Sequence, residues 1–193
     1  MSTSAELRLR GISIRDRFIA SAQIHDLLQC ADARQARGDF APARVGGPAG
    51  AQRREEIRGD FTCWLREPLF PAEHSLLKQL EQLRLELNRE AYLGLFELEL
   101  HYARYASGTG YARHVDQPIG TTLRRVSLVL YLNVDWEPSD GGVLRIHETD
   151  DRTLDIEPVG GRLVCFLTPG REHEVLQARR ERLSISGWFC GRE

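Results

Sequence analysis

A chain of 193 residues has room for one substantial core, or a core with a small appendage. Its hydrophobic fraction of 41% and charged fraction of 28% are those of an ordinary globular protein. A formal net charge of -2 gives no basic surface of the kind nucleic acid demands, and no apolar run approaches a membrane span.

The opening MSTSAELRLRGISIRDRF lacks a basic stretch followed by an uninterrupted apolar one, so no secretory signal is expected. The cysteines Cys30, Cys63, Cys165 and Cys190 form no CxxC pair. They read as small packing residues, reduced in a cytoplasmic, monomeric protein.

The first predicted element is a helix from Ser21 to Arg37. Ile24, Leu27, Leu28 and Ala31 recur at helical spacing, with Ser21 as N-cap and Gly38 as stop. Residues 41–56, APARVGGPAGAQRREE, show no periodicity and read as a mobile loop, either a lid or a connector. A second helix spans Ala72 to Ala91, with Leu76, Leu80, Leu83 and Leu87 on one stripe. Both helices read as supports packed by one face onto a sheet.

From Leu95 the pattern changes. Phe96 to Tyr105 alternates with a period of two, and Val126 to Leu132 reads as a strand buried on both faces. Further strands are predicted at Val143–His147, Leu154–Glu157, Leu163–Phe166, His173–Leu176 and Leu183–Phe189, separated by turns such as Gly141-Gly142 and Pro169-Gly170. Helices followed by short strands give a single α+β, mainly β domain: helical support over about 1–95, and a catalytic sandwich or barrel over about 96–189.

His114-Val115-Asp116 places an imidazole and a carboxylate at i and i+2, which share one face of a strand. With six histidines and eleven aspartates, roughly one such chain in three would carry this spacing by accident, and a surface His beside a turn Asp is the plainer reading of the motif alone. His173, 59 residues beyond His114, changes the balance. Two imidazoles and a carboxylate can hold one face of an iron(II) ion and leave three positions for other ligands. In oxygenases of this kind 2-oxoglutarate takes two and dioxygen the third. The far carboxylate of 2-oxoglutarate then needs a buried guanidinium, and Arg182 suits the task. It opens RLSISGWF in phase with Ser184, Ser186 and Trp188, opposite Leu183, Ile185 and Phe189. The other histidines read differently: His25 and His74 as surface groups, His101 as pointing outward or packing beside the sheet, and His147 as solvated.

GTGYARHVDQP, LYLNVDW, GGVLRIH, DIEPVGGRLVCF, REHEV and RLSISGWF, with EIRGDFTCWL upstream, together resemble the catalytic half of the hypoxia-sensing prolyl hydroxylases and their bacterial relatives. The resemblance covers about Gly11 to Phe189 and implies a double-stranded β-helix (a jelly-roll, cupin-like fold) with N-terminal supporting helices. It implies iron(II) on His114, Asp116 and His173, and 2-oxoglutarate on Arg182 and Tyr131 with Tyr105 near its chelating end. Arg124, Trp188, Trp64, Arg58 and Asp60 would lie against the substrate, with the 41–56 loop as lid. The implied reaction is hydroxylation of a prolyl residue at C4 in a protein loop, consuming dioxygen and releasing succinate and carbon dioxide, with ascorbate in support. Elongation factor Tu is the family-level partner. The same chemistry on a small molecule, or an inactive β-helix acting as a binding module, are the alternatives. Gln117 stands where the animal enzymes carry asparagine, Ile119–Arg124 is one residue longer, and the chain stops four residues after Phe189. These departures leave the animal oxygen-sensing role and its particular substrate open.

Overall fold

The computed structural model describes residues 1–44, 52, 54, 56–117, 123–148 and 152–192. Helix α1 (Thr3–Arg10), which periodicity did not reveal, begins at a Ser2 cap whose hydroxyl accepts from the Ala5 N–H at 3.3 Å. It ends at Gly11 in the left-handed region, where glycine carries no Cβ penalty. Strand β1 (Ile12–Arg15) follows. Helix α2 (Ser21–Ala36) starts one residue earlier than a Ser21 cap implies, because Ala20 holds the cap position and Ser21 is already helical.

Strand β2 (Ala41–Pro42) pairs with Phe61 and Thr62 of strand β3 (Asp60–Trp64), and the Ala43 N–H donates to the Asp60 carbonyl at 2.9 Å. The expected loop from residue 41 therefore begins inside a paired strand. Most of its remainder, including 45–51, lies outside the described residues. Helix α3 (Pro71–Ala91) places Pro71 at its first position, where a missing N–H is harmless, and buries Leu76, Leu80, Leu83 and Leu87 as expected.

The remaining strands are β4 (Glu97–Tyr105), β5 (Tyr111–His114), β6 (Arg124–Tyr131), β7 (Leu144–His147), β8 (Thr153–Ile156), β9 (Leu163–Leu167), β10 (His173–Val175) and β11 (Arg182–Cys190). They form a seven-stranded sheet, β1-β9-β6-β11-β4-β3-β2, and a four-stranded sheet, β5-β10-β7-β8, with every strand pair antiparallel. The helices cover one face of the larger sheet: Leu27, Leu76, Leu80 and Leu83 pack with Tyr102, Leu128, Leu130 and Ile185. Tyr131, Val164 and Phe166 of its other face pack against Leu144, Ile146 and Ile156 of the smaller sheet. With both faces covered, β6 and β11 lose the in–out alternation of half-exposed strands. This is the double-stranded β-helix architecture expected.

Behind the site, a buried ion pair ties the helices to the sheet. Arg34 donates twice to Glu73 at 2.7 Å, and the Tyr102 hydroxyl donates to Glu73 at 3.1 Å. Burial opposes the Glu73 charge, but the Arg34 guanidinium and the Phe70 N–H outweigh it and hold the carboxyl below its usual range. No described helix is long and apolar enough to cross a membrane.

Candidate metal and anion site

The smaller sheet brings the two imidazoles together. In the β10–β5 pairing His173 lies directly opposite His114, and their ring centroids are 4.2 Å apart. β5 ends at His114, so Asp116 stands just past the strand rather than on it. His114 Nε2 lies 3.6 Å from Asp116 Oδ1, and His173 Nε2 lies 3.6 Å from Asp116 Oδ2. One donor atom from each of the three falls within 4.8 Å of the others.

The imidazoles are held in the orientation a metal needs. His114 Nδ1 is 2.8 Å from the Ala112 carbonyl, and His173 Nδ1 is 3.1 Å from the Arg171 carbonyl. A carbonyl only accepts, so each Nδ1 carries the proton and each Nε2 presents a lone pair to the common centre. Tyr111 stacks on His114 with centroids 3.5 Å apart, and Phe166 packs edge-on against His173. Burial pushes the His173 pKa down and favours the neutral ligand form. Burial works against the Asp116 charge. Attraction to the neighbouring His114 and His173 imidazoles outweighs it, so the carboxyl sits well below its usual range. Two neutral nitrogen donors and one carboxylate suit a divalent first-row ion with open positions.

Arg182, 1% exposed, faces the same pocket from β11. Its Nε donates to the Gly142 carbonyl at 2.9 Å. Gly142 adopts a positive φ, and a Cβ there would meet Arg182 Cδ at 3.2 Å, so glycine clears the approach. The guanidinium lies over the Tyr105 and Tyr131 rings at 5.2 and 5.1 Å. Among the described residues no carboxylate pairs with it, and the buried Tyr131 hydroxyl has no hydrogen-bond partner. Burial raises the Tyr131 pKa, so that hydroxyl keeps its proton and can donate. A buried cation and a donating phenol without a counter-charge are the complement of a carboxylate. The fit is to a dicarboxylic or 2-oxo acid reaching from a metal to Arg182.

Of the other expected residues, Arg58 and Trp188 line the same pocket. Arg124 lies 3.4 Å over the Trp188 ring and donates to the Asp116 carbonyl at 2.9 Å. Arg58 and Asp60 are spent largely on each other, in a two-point ion pair at 2.7 and 3.1 Å. Arg58 also covers the Tyr111 ring. Trp64 is 41% exposed at the mouth.

His101 corrects the sequence reading. It does point away from Leu100 and Tyr102, but that face is the pocket wall, where it is 3% exposed between Trp64 and Trp188. His147, expected to be solvated, is half-buried and bonded to Glu174 at 3.0 Å. Tyr111 and Ser127 also went unremarked in the sequence. Ser127 left a signal, as the one serine inside the apolar run VSLVLY. The four cysteines are buried and unpaired, as expected of packing residues.

Fold and site together define a double-stranded β-helix that carries a His–Asp–His cluster of metal-ligating groups beside a buried arginine. Residues 100–190 match the 2OG-Fe(II) oxygenase superfamily. Over 193 aligned residues the chain is 30% identical to human prolyl hydroxylase EGLN3, covering 95% of this chain and 80% of that protein. A crystal structure of a Pseudomonas putida prolyl-4-hydroxylase superposes with a TM-score of 0.89 at 39% identity, covering 99% of this chain and 98% of that one. A Trichoplax adhaerens prolyl hydroxylase, in complex with a hypoxia inducible factor oxygen degradation domain peptide fragment, gives 0.86 at 26% identity, covering 97% and 87%. The chain belongs to the prolyl hydroxylases of the 2OG-Fe(II) oxygenase superfamily. It spans 33% of the length of human Egl nine homolog 1, with which it also aligns.

Proposed function

We propose that this chain is an iron(II)- and 2-oxoglutarate-dependent dioxygenase that hydroxylates a prolyl residue at C4 in a loop of a protein. The observation that carries the reading is the pairing of the His114–Asp116–His173 cluster with a buried Arg182, which no described carboxylate pairs, in one pocket. His114, Asp116 and His173 would hold the iron. Arg182 and the Tyr131 hydroxyl would bind the far carboxylate of 2-oxoglutarate, with Tyr105 along its length. When bound, iron would activate dioxygen as the oxidant, with 2-oxoglutarate giving two electrons as it becomes succinate and carbon dioxide, so that one oxygen atom enters succinate and the other the substrate. The chain's own residues orient and enclose: no side chain needs to act as acid or base. Leu128, Val129, Leu144 and Val175 line the pocket and exclude water from it.

Arg124, Trp188 and Trp64, with the Arg58–Asp60 pair behind, would take the substrate at the mouth. A protein loop suits the exposed Trp64 indole, set against the Arg124-covered Trp188, better than a small metabolite does, and the peptide held by the Trichoplax enzyme supports that choice. Elongation factor Tu is the first partner to try. With this reading go one domain, a monomer, a cytoplasmic setting and ascorbate as supporting reductant. The test is incubation with lysate of the source organism, iron(II), ascorbate and 2-oxoglutarate, followed by mass spectrometry. Prolyl peptides gaining one oxygen are expected. None, alongside vigorous oxidation of free metabolites, would transfer the chemistry to a small molecule.

A further inference from the structure

Asp116 stands beyond the end of β5, where no ladder fixes it, and the chain immediately after it leads into residues 118–122, outside the described set. A carboxylate that must meet two imidazoles to within a few tenths of an ångström needs another anchor. The neighbouring sheet supplies one. Ser127 Oγ donates to Asp116 Oδ2 at 2.8 Å, and Thr168 Oγ1 lies 2.9 Å from Ser127 Oγ. Ser127 is 1% and Thr168 0% exposed.

The direction of this chain follows from counting protons. A serine hydroxyl has one, and Asp116 takes it, so the second bond must run from Thr168 to Ser127. Thr168 is itself held, its backbone N–H donating to the Arg125 carbonyl at 3.0 Å. Each hydroxyl would otherwise be a buried polar group without a partner, and bonds in series strengthen one another. Ser127 sits in the middle of β6, paired to β9 on one side and β11 on the other, so the anchor stands on a strand hydrogen-bonded along both edges. One carboxylate oxygen is thereby occupied, which limits rotation about the Cβ–Cγ bond.

We propose that Thr168 and Ser127 form a directed hydroxyl relay that positions the Asp116 carboxylate for metal binding. The relay is a device of this chain's own residues and rests on the reading of Asp116 as a ligand. Positioning residues of this type set metal affinity by about 10- to 100-fold.

Mn(II), which resists oxidation in air, is the probe. Its dissociation constant would be measured by electron paramagnetic resonance on the parent, Ser127→Ala, Thr168→Val and Thr168→Ser, each with its thermal unfolding curve. Ser127→Ala should weaken Mn(II) binding about 10- to 100-fold and Thr168→Val by a smaller factor, while Thr168→Ser, which keeps the hydroxyl, should match the parent. If Ser127→Ala does not fold, the shape-conserving Thr168→Val against Thr168→Ser carries the comparison. Folded variants lacking the hydroxyl that bind Mn(II) as tightly as the parent would overturn the relay alone. So would variants that lose only thermal stability. A parent that binds no Mn(II) would overturn the metal-site reading, and the relay with it.

Discussion

The guanidinium of Arg182 lies 5.1 Å from the ring centre of Tyr131, both side chains are fully buried, and no described acid neutralises the charge. An anion completing this pair would gain charge-assisted hydrogen bonds in a dry setting. Arg182→Ala should therefore weaken 2-oxoglutarate binding by about 3 kcal/mol, or roughly a hundredfold, while leaving metal affinity within a few-fold. Tyr131→Phe, which removes one neutral donor, should lose about 1 kcal/mol. Calorimetric titration of the metal-loaded protein with 2-oxoglutarate reads both, and an unchanged constant in Arg182→Ala would mean another arginine does this work.

His101 makes a prediction about acid stability. Burial lowers its pKa from 6.5 to about 4. Between those values the unfolded chain takes up a proton that the folded chain refuses, so stability falls as pH drops through that window and levels off below it. The contribution is on the order of 3 kcal/mol. Urea unfolding at neutral pH and near the lower end of the window should show a smaller acid loss for His101→Phe than for the parent. Parallel losses in the two proteins would count against a neutral buried imidazole.

Trp64 stacks on His101, with centroids 4.9 Å apart, yet keeps an exposed edge at the mouth. Trp64→Ala should raise KM for a protein substrate by about 2 kcal/mol in binding and leave succinate release without substrate nearly unchanged. If both fall together, Trp64 shapes the metal site rather than the docking surface.

The Arg34–Glu73 pair bears on the frame rather than the chemistry. Glu73→Ala strands a buried guanidinium and should destabilise the fold by about 3–5 kcal/mol. Chemical denaturation of the metal-free protein measures this, and a loss below about 1 kcal/mol would mean that water reaches Arg34.

The readable parts of the sequence were those governed by period. The Leu76–Leu80–Leu83–Leu87 stripe and the alternation of Arg182, Ser184, Ser186 and Trp188 each placed a face correctly, since helix and strand geometry leave no other arrangement. His101 was left between an outward and a packed position because alternation tells which residues share a face and not what covers it; Trp64 and Trp188 of neighbouring strands cover it. The relay from Thr168 through Ser127 to Asp116 joins residues 41 and 11 positions apart, and only the register of β6 against β9 brings them together. The strand β2 escaped notice for a simpler reason: two residues carry no period.

The account depends above all on two imidazoles and a carboxylate sharing one ferrous ion. Anaerobic titration with Fe(II) against a competing chelator, on the parent and on His173→Ala, tests this most directly. Binding of a single ion per parent chain, weakened at least about a hundredfold in the folded variant, is the predicted result. A parent that takes up no iron, or a His173→Ala chain that holds it equally well, would contradict it.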